Sequence, residues 1–119
     1  MIQLTPHMRI LVCLEPIDFR SGIDGLARVC RAHLKEDPMA GTLFVFRNRT
    51  GTGLKLLLYD GQGFWLMYKR FSRDGLCWWP RNEHEVVQRL RAFELAVVLS
   101  GGDPSRARGV DDWRPVSPA

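Results

Sequence analysis

The residues of this chain best suited to chemistry are cations: Arg47, Arg49, Lys55, Lys69, Arg70 and Arg73, all between Gly41 and Gly75, with Arg20 upstream. Phosphate is the ligand such a set fits. Cations held at strand spacing can each neutralise a phosphate and release a counterion. Six of the 17 basic residues fall in that segment, against two of the 13 acidic ones (Asp60 and Asp74), which leaves eleven of each sign elsewhere. The formal net charge of +4 is thus carried by one stretch of chain. Charge concentrated on one element attracts a polyanion better than the same charge spread evenly. The competing reading is a solvated sheet face that guards against edge-to-edge aggregation. The same region is dense in aromatic residues, with Tyr59, Trp65, Tyr68, Trp78 and Trp79. Exposed rings can stack on bases, although most of these belong by type in a core. Trp78 and Trp79 are adjacent, so in a strand they face opposite sides and one of the two is a candidate surface contact.

Other chemistries find less support. Asp18, Asp24 and Asp60 are the carboxylates near glycine-rich turns, but a two-metal nuclease needs carboxylates converging on ions about 4 Å apart. Nothing in their spacing fixes that convergence, and helix capping and turn formation explain Asp24 and Asp60. His7, His33 and His84 are isolated, so no metal-ligand motif forms. Gly51-Thr-Gly53 and Gly61-Gln-Gly63 lack the Lys-Ser/Thr that follows a phosphate-cradling loop. We expect no catalytic residue, no metal ligand and no cofactor. Cys13, Cys30 and Cys77 are too widely spaced for a disulfide framework or a zinc site, and read as small buried thiols of a reducing compartment. No run of 18 apolar residues offers a membrane span, and the N-terminus has no signal-peptide pattern. A cytoplasmic location is expected.

These residues must be positioned by a fold of modest size. A chain of 119 residues with 45% apolar content makes one domain with a real core. Arg9–Glu15 reads as a strand stopped by Pro16. Ser21 can cap a helix in which Ile23, Leu26, Ala27, Cys30 and Leu34 form one apolar stripe, ended by Asp37-Pro38. Leu43–Arg49, Leu54–Asp60 and Phe64–Phe71 are three strands of an antiparallel meander joined by glycine turns. A further strand is expected at Leu76–Trp79. Arg81–Ser100 is either one long helix or a short strand at Val86-Val87 followed by a helix from near Arg91. The fold class is therefore α+β: a four- to five-stranded, mostly antiparallel sheet with two helices packed on one face. The other face is left for the cations. The domain spans 1–102, and 103–119 is a Pro-rich tail expected to be mobile or pinned at Trp113.

The order DFRSGIDGLA, then GTLFVFRNR, then KLLLYDGQGFWLMYKRF, then Trp79-Pro80 resembles the small accessory protein TnpB of insertion sequences of the sixty-six type. Asp18, Arg20, Gly22, Asp24-Gly25-Leu26, Asp37-Pro38, Gly41, Phe44, Phe46, Arg47, Arg49, Lys55, Asp60-Gly61, Gly63 and Lys69-Arg70 fit the pattern in order. The Arg- and Glu-rich segment after Pro80 and the tail past Gly102 depart from it. An RNA-guided nuclease that shares the name is unrelated, and the chain does not resemble it. The resemblance implies a non-catalytic bacterial protein needed beside the transposase of the same element. DNA and that transposase are then the expected partners, with about four to six neutralised phosphates giving a salt slope near −4 to −5. The rival readings are a protein-interaction subunit without nucleic-acid contact and, last, a nuclease using Asp18, Asp24 and Asp60. An exposed meander edge could also pair two copies by strand addition.

Overall fold

The computed structural model describes residues 7–106. Within them the element order is β1 (Ile10–Cys13), α1 (Ile23–Val29) continued by a wider π-helical turn (Cys30–Leu34), β2 (Leu43–Arg47), β3 (Gly53–Tyr59), β4 (Phe64–Arg70), β5 (Val87–Leu90) and α2 (Ala92–Leu99). The strands form one sheet in the order β4-β3-β2-β1-β5. The meander β2-β3-β4 is antiparallel, as expected from its glycine turns, and β5 is antiparallel to β1. Only β1 and β2 run parallel, with Ile10 opposite Leu43 and Val12 opposite Val45. Parallel neighbours need a long crossover connection, and α1 supplies it. The α+β class and the mostly antiparallel sheet of five strands stand.

The helices do not share a face. Leu26, Cys30 and Leu34 of α1 pack with Leu11, Cys13, Phe44, Phe46 and Leu57. Leu95 and Val98 of α2 pack with Ile10, Val12, Leu43, Val45, Leu54 and Leu56. Alternate residues of each inner strand thus go to opposite cores, and both sheet faces are covered. The reason lies in the strands themselves. All four residues of β1 and the first four of β2 are buried, and such continuous apolar runs mark strands covered on both sides. The expectation of one free basic face fails for this reason.

Several local expectations shift too. Gly22, not Ser21, is the N-cap of α1, and no side chain caps it. The helix ends before Asp37-Pro38, where Lys35 turns left-handed and the Glu36 N–H reaches the Cys30 carbonyl at 2.9 Å. Leu76–Trp79 is loop rather than strand. Of the two readings of 81–100, the strand followed by a helix is the observed one, with Glu94 accepting the Arg91 backbone N–H at 2.8 Å. Cys13 and Cys30 are buried as expected, but Cys77 is exposed. Of the tail, only 103–106 are described, and Pro104 among them is buried. The expectations for the rest of the tail and for Trp113 lie outside the described residues.

Candidate nucleic-acid interface

Two loops meet beyond the carboxyl ends of β1 and β2 and make a cleft. The first is the turn from Asn48 to Gly53. Its backbone is fixed by one side chain: Asn48 Oδ1 accepts the N–H groups of Thr52 and Gly53 at 2.9 and 3.2 Å, and Asn48 Nδ2 donates to Thr52 Oγ1 at 2.9 Å. The second is the segment after β4. Leu76 N–H donates to the Gly51 carbonyl at 2.8 Å, which docks this segment on the turn. Gly75 permits the approach. Its φ is +67°, and a Cβ there would lie 2.5 Å from the Gly51 carbonyl oxygen, a position that only glycine tolerates. The cleft between the loops has a volume of about 570 Å³.

Three arginines line it: Arg47 at the end of β2, Arg49 in the turn and Arg81 after Pro80. Arg49 and Arg81 are exposed and Arg47 is half-buried. The Arg47 guanidinium lies 5.7 Å from the centre of the Trp79 ring, a cation–π distance. Its Nη1 donates to the Asn48 carbonyl at 3.4 Å, while its Nε is buried without a partner. Burial pushes the Arg47 guanidinium below its ordinary value, and the charges of Arg81 and Arg49 push the same way. Glu15, Glu83 and Glu85 also line the cleft, so its formal charges balance. The glutamates do not pair with the arginines, however. Close ion pairs form elsewhere, Arg9–Glu36 at 3.3 Å and Arg20–Asp18 at 2.7 Å, and Glu15 lies 3.3 Å from the His33 imidazole. Three guanidinium groups drawn together without carboxylate partners can grip a phosphate, whose oxygens match their planar forks.

The remaining sequence candidates are scattered. In register, Lys55 opposes Phe46 and Arg70 opposes Gly53 on the α1 side, whereas Arg47 and Lys69 both oppose Leu54, on the α2 side. Lys55 is spoken for: its Nζ donates to the carbonyls of Phe19 and Ser21 at 2.7 and 3.0 Å and lies 5.0 Å from the Phe19 ring centre. Lys69 Nζ donates to the Leu99 carbonyl at the end of α2 and lies over Phe71, where the helix dipole favours a cation. Arg20 clamps Asp18, with Nη2 to Oδ2 at 2.7 Å. Arg70 and Arg73 are exposed and lie outside the cleft. Trp78 and Trp79 both line the cleft and both pack on the α2-side core. They do not face opposite sides, because the segment carrying them is not a strand. Arg81 was not among the sequence candidates. Its signal was its place directly after Trp78-Trp79-Pro80.

The carboxylates considered for metal chemistry have other work. Hydrogen bonds from the Arg20 side chain and then its backbone hold the Asp18 carboxyl at about 2. Asp60 accepts the Gln62 and Gly63 N–H groups at 2.9 and 3.0 Å and the Trp65 indole N–H at 2.8 Å. The Gln62 bond first, then that of Trp65, lowers its carboxyl below the ordinary range. Asp24 sits in the first turn of α1.

The family model described as IS66 Orf2 like protein, TnpB of these elements, matches residues 8–109. The chain belongs to this family. It is similar to the uncharacterized protein y4hO of Sinorhizobium fredii, with 36% identity over 110 residues covering 92% of each chain. It is also similar to the uncharacterized protein y4jC of the same organism, with 29% identity over the full length of both. No solved structure matches it. Membership in the TnpB family assigns the chain an accessory part in transposition, in a family with no known catalytic activity. The match takes in Arg81 and α2, so it covers the whole cleft and not only the stretch on which the sequence resemblance rested. No helix of the described residues is long and apolar enough to cross a membrane.

Proposed function

We propose that the protein is a non-catalytic accessory factor of transposition that holds nucleic acid in the arginine cleft while a separate transposase of the same element does the chemistry, in the bacterial cytoplasm. The observation that carries this reading is the meeting of Arg47, Arg49 and Arg81 beside two tryptophans with no carboxylate paired to them. Backbone contacts of this kind position a protein without reading sequence. Contact with about three phosphates gives a slope of log K against log salt near −2 on a single strand or −3 on a duplex, shallower than a whole basic sheet face would give. The test is a salt titration of binding to DNA of the element. Arg49→Ala and Arg81→Ala should each weaken binding to all sequences alike and reduce the slope by about one. Arg70→Ala and Arg73→Ala should leave it unchanged. Binding that ignores salt, or none at low salt, refutes the reading.

A second reading has its own observation. Trp65 and Tyr68 are 52% and 56% exposed and lie on the edge strand β4. Such a strand and its aromatic flanks suit a protein partner, the transposase or another copy. A transposase complex that survives nuclease treatment and is lost with Trp65→Ser supports it.

A further inference from the structure

We propose that the cleft takes an unpaired strand rather than a duplex, with its successive phosphodiesters seated on Arg47, Arg49 and Arg81 and an adjoining base stacked on Trp78. This rests on the nucleic-acid reading above and narrows its ligand.

Size and shape point this way first. A volume of about 570 Å³ belongs to pockets that enclose one small-molecule-sized group, which for a nucleic acid means a nucleotide or two. Arg47 is half-buried in the cleft wall and its Nε is a buried donor without a partner. Its guanidinium is held over Trp79 and against the Asn48 carbonyl, so it meets an entering phosphate already placed. A duplex can bring its backbone to the mouth of the cleft, but its bases are already paired and stacked and offer no free face to Trp78. An unpaired strand can bend into the cleft.

The two tryptophans differ in what remains open to them. The Trp79 indole N–H donates to the Cys13 carbonyl at 3.2 Å, and Arg47 lies over its ring. No hydrogen bond or ring contact among the described residues involves Trp78, which lines the same cleft. Stacking on such a ring tolerates any base, since every base has a π-face. A path for the strand is present as well. A second hollow of about 380 Å³ adjoins the cleft, shares Arg49 and Thr50 with it and includes Phe19 in its wall.

The test is a titration of the full chain, followed by fluorescence anisotropy, with labelled oligothymidylate and with a blunt duplex of equal length. The strand is expected to bind at least about tenfold more tightly, and Trp78→Ala to weaken it by about tenfold or more. Trp78→Phe should restore most of that loss and leave duplex binding unaffected. Equal or tighter binding of the duplex overturns the single-strand proposal while the nucleic-acid reading stands. Binding of neither at low salt overturns both. Full affinity in a folded Trp78→Ala variant overturns the stacking contact. If that variant does not fold, wild type and Trp78→Phe are compared by fluorescence quenching on adding the strand. Identical quenching in the two then overturns the stacking contact.

Discussion

Cys13 and Cys30 show how strongly one side chain's surroundings set its chemistry. Burial pushes their thiols from an ordinary 9.0 up to about 11 and about 12. The reactive species is the thiolate, so both stay inert at neutral pH. Cys77 is exposed, with its Sγ 3.1 Å from the Gly101 carbonyl. Alkylation of the native protein followed by peptide mass mapping should modify Cys77 first, and Cys13 and Cys30 only on unfolding. The sign of the pH dependence follows. A thiol raised in the folded state contributes in full below about pH 9 and loses that contribution as pH climbs toward 11 and 12. Denaturation midpoints should therefore fall in that alkaline window, and a Cys13→Ala, Cys30→Ala variant should show a smaller fall. The acidic limb differs. Asp18 lies below its ordinary 3.8, so whatever its clamp with Arg20 adds is present above that value and is lost as pH falls toward 2.

At the scale of elements, a lysine joins the Ile17 N–H, which donates to the Arg47 carbonyl at 2.9 Å, in holding down the loop between β1 and α1. Lys55 reaches from β3 across the sheet face to two carbonyls of that loop, with its ammonium between the rings of Phe19 and Tyr68. Hydrogen bonds from a charged donor contribute about 1.5–3 kcal/mol when partly shielded from water. Lys55→Met keeps the stem and removes the donors. It should lower unfolding free energy by about 1–2 kcal/mol in a urea titration. The salt slope for nucleic acid should not change, whereas a phosphate-binding lysine would reduce it by about one. The sequence displayed Lys55 as one cation among six, and only the tertiary fold shows it to be a strut. What the sequence did carry was local. Glycine at 51, 61 and 75 marked the turns, alternation marked the meander, and the stripe from Ile23 to Leu34 marked α1. Strand pairing between distant segments was not legible, nor was the coil at Leu76–Trp79, where four residues of strand-favouring type are kept out of the sheet by their docking on Gly51. The cleft depends on both, so Arg47 and Arg49 could be named in advance but not grouped with Arg81.

Seen whole, the protein is three layers, α1, sheet and α2, and this decides where its charge can go. One free sheet face would have gathered the cations. With both faces of the inner strands covered by apolar side chains, no whole face is left to gather the cations, and the carboxyl end of the β1–β2 pair is where three of them meet. Ligand sites in open sheets with parallel strands favour that end. The signal was present in ILVC and LFVF, whose unbroken apolar character asks for cover on two sides. The layering has a thermodynamic consequence that distinguishes it from two helices packed side by side. Leu26 of α1 and Leu95 of α2 are both fully buried but belong to separate cores. Leu26→Ala and Leu95→Ala should each cost about 2–5 kcal/mol. With the sheet between them and no shared neighbour, their effects in the double variant should add to within about 0.5 kcal/mol. Together they approach the whole stability of a domain this size, so the cycle is best measured in sulfate, which strengthens burial. A coupling above about 1 kcal/mol would mean that the two leucines touch a common core, and the three-layer arrangement would have to be abandoned.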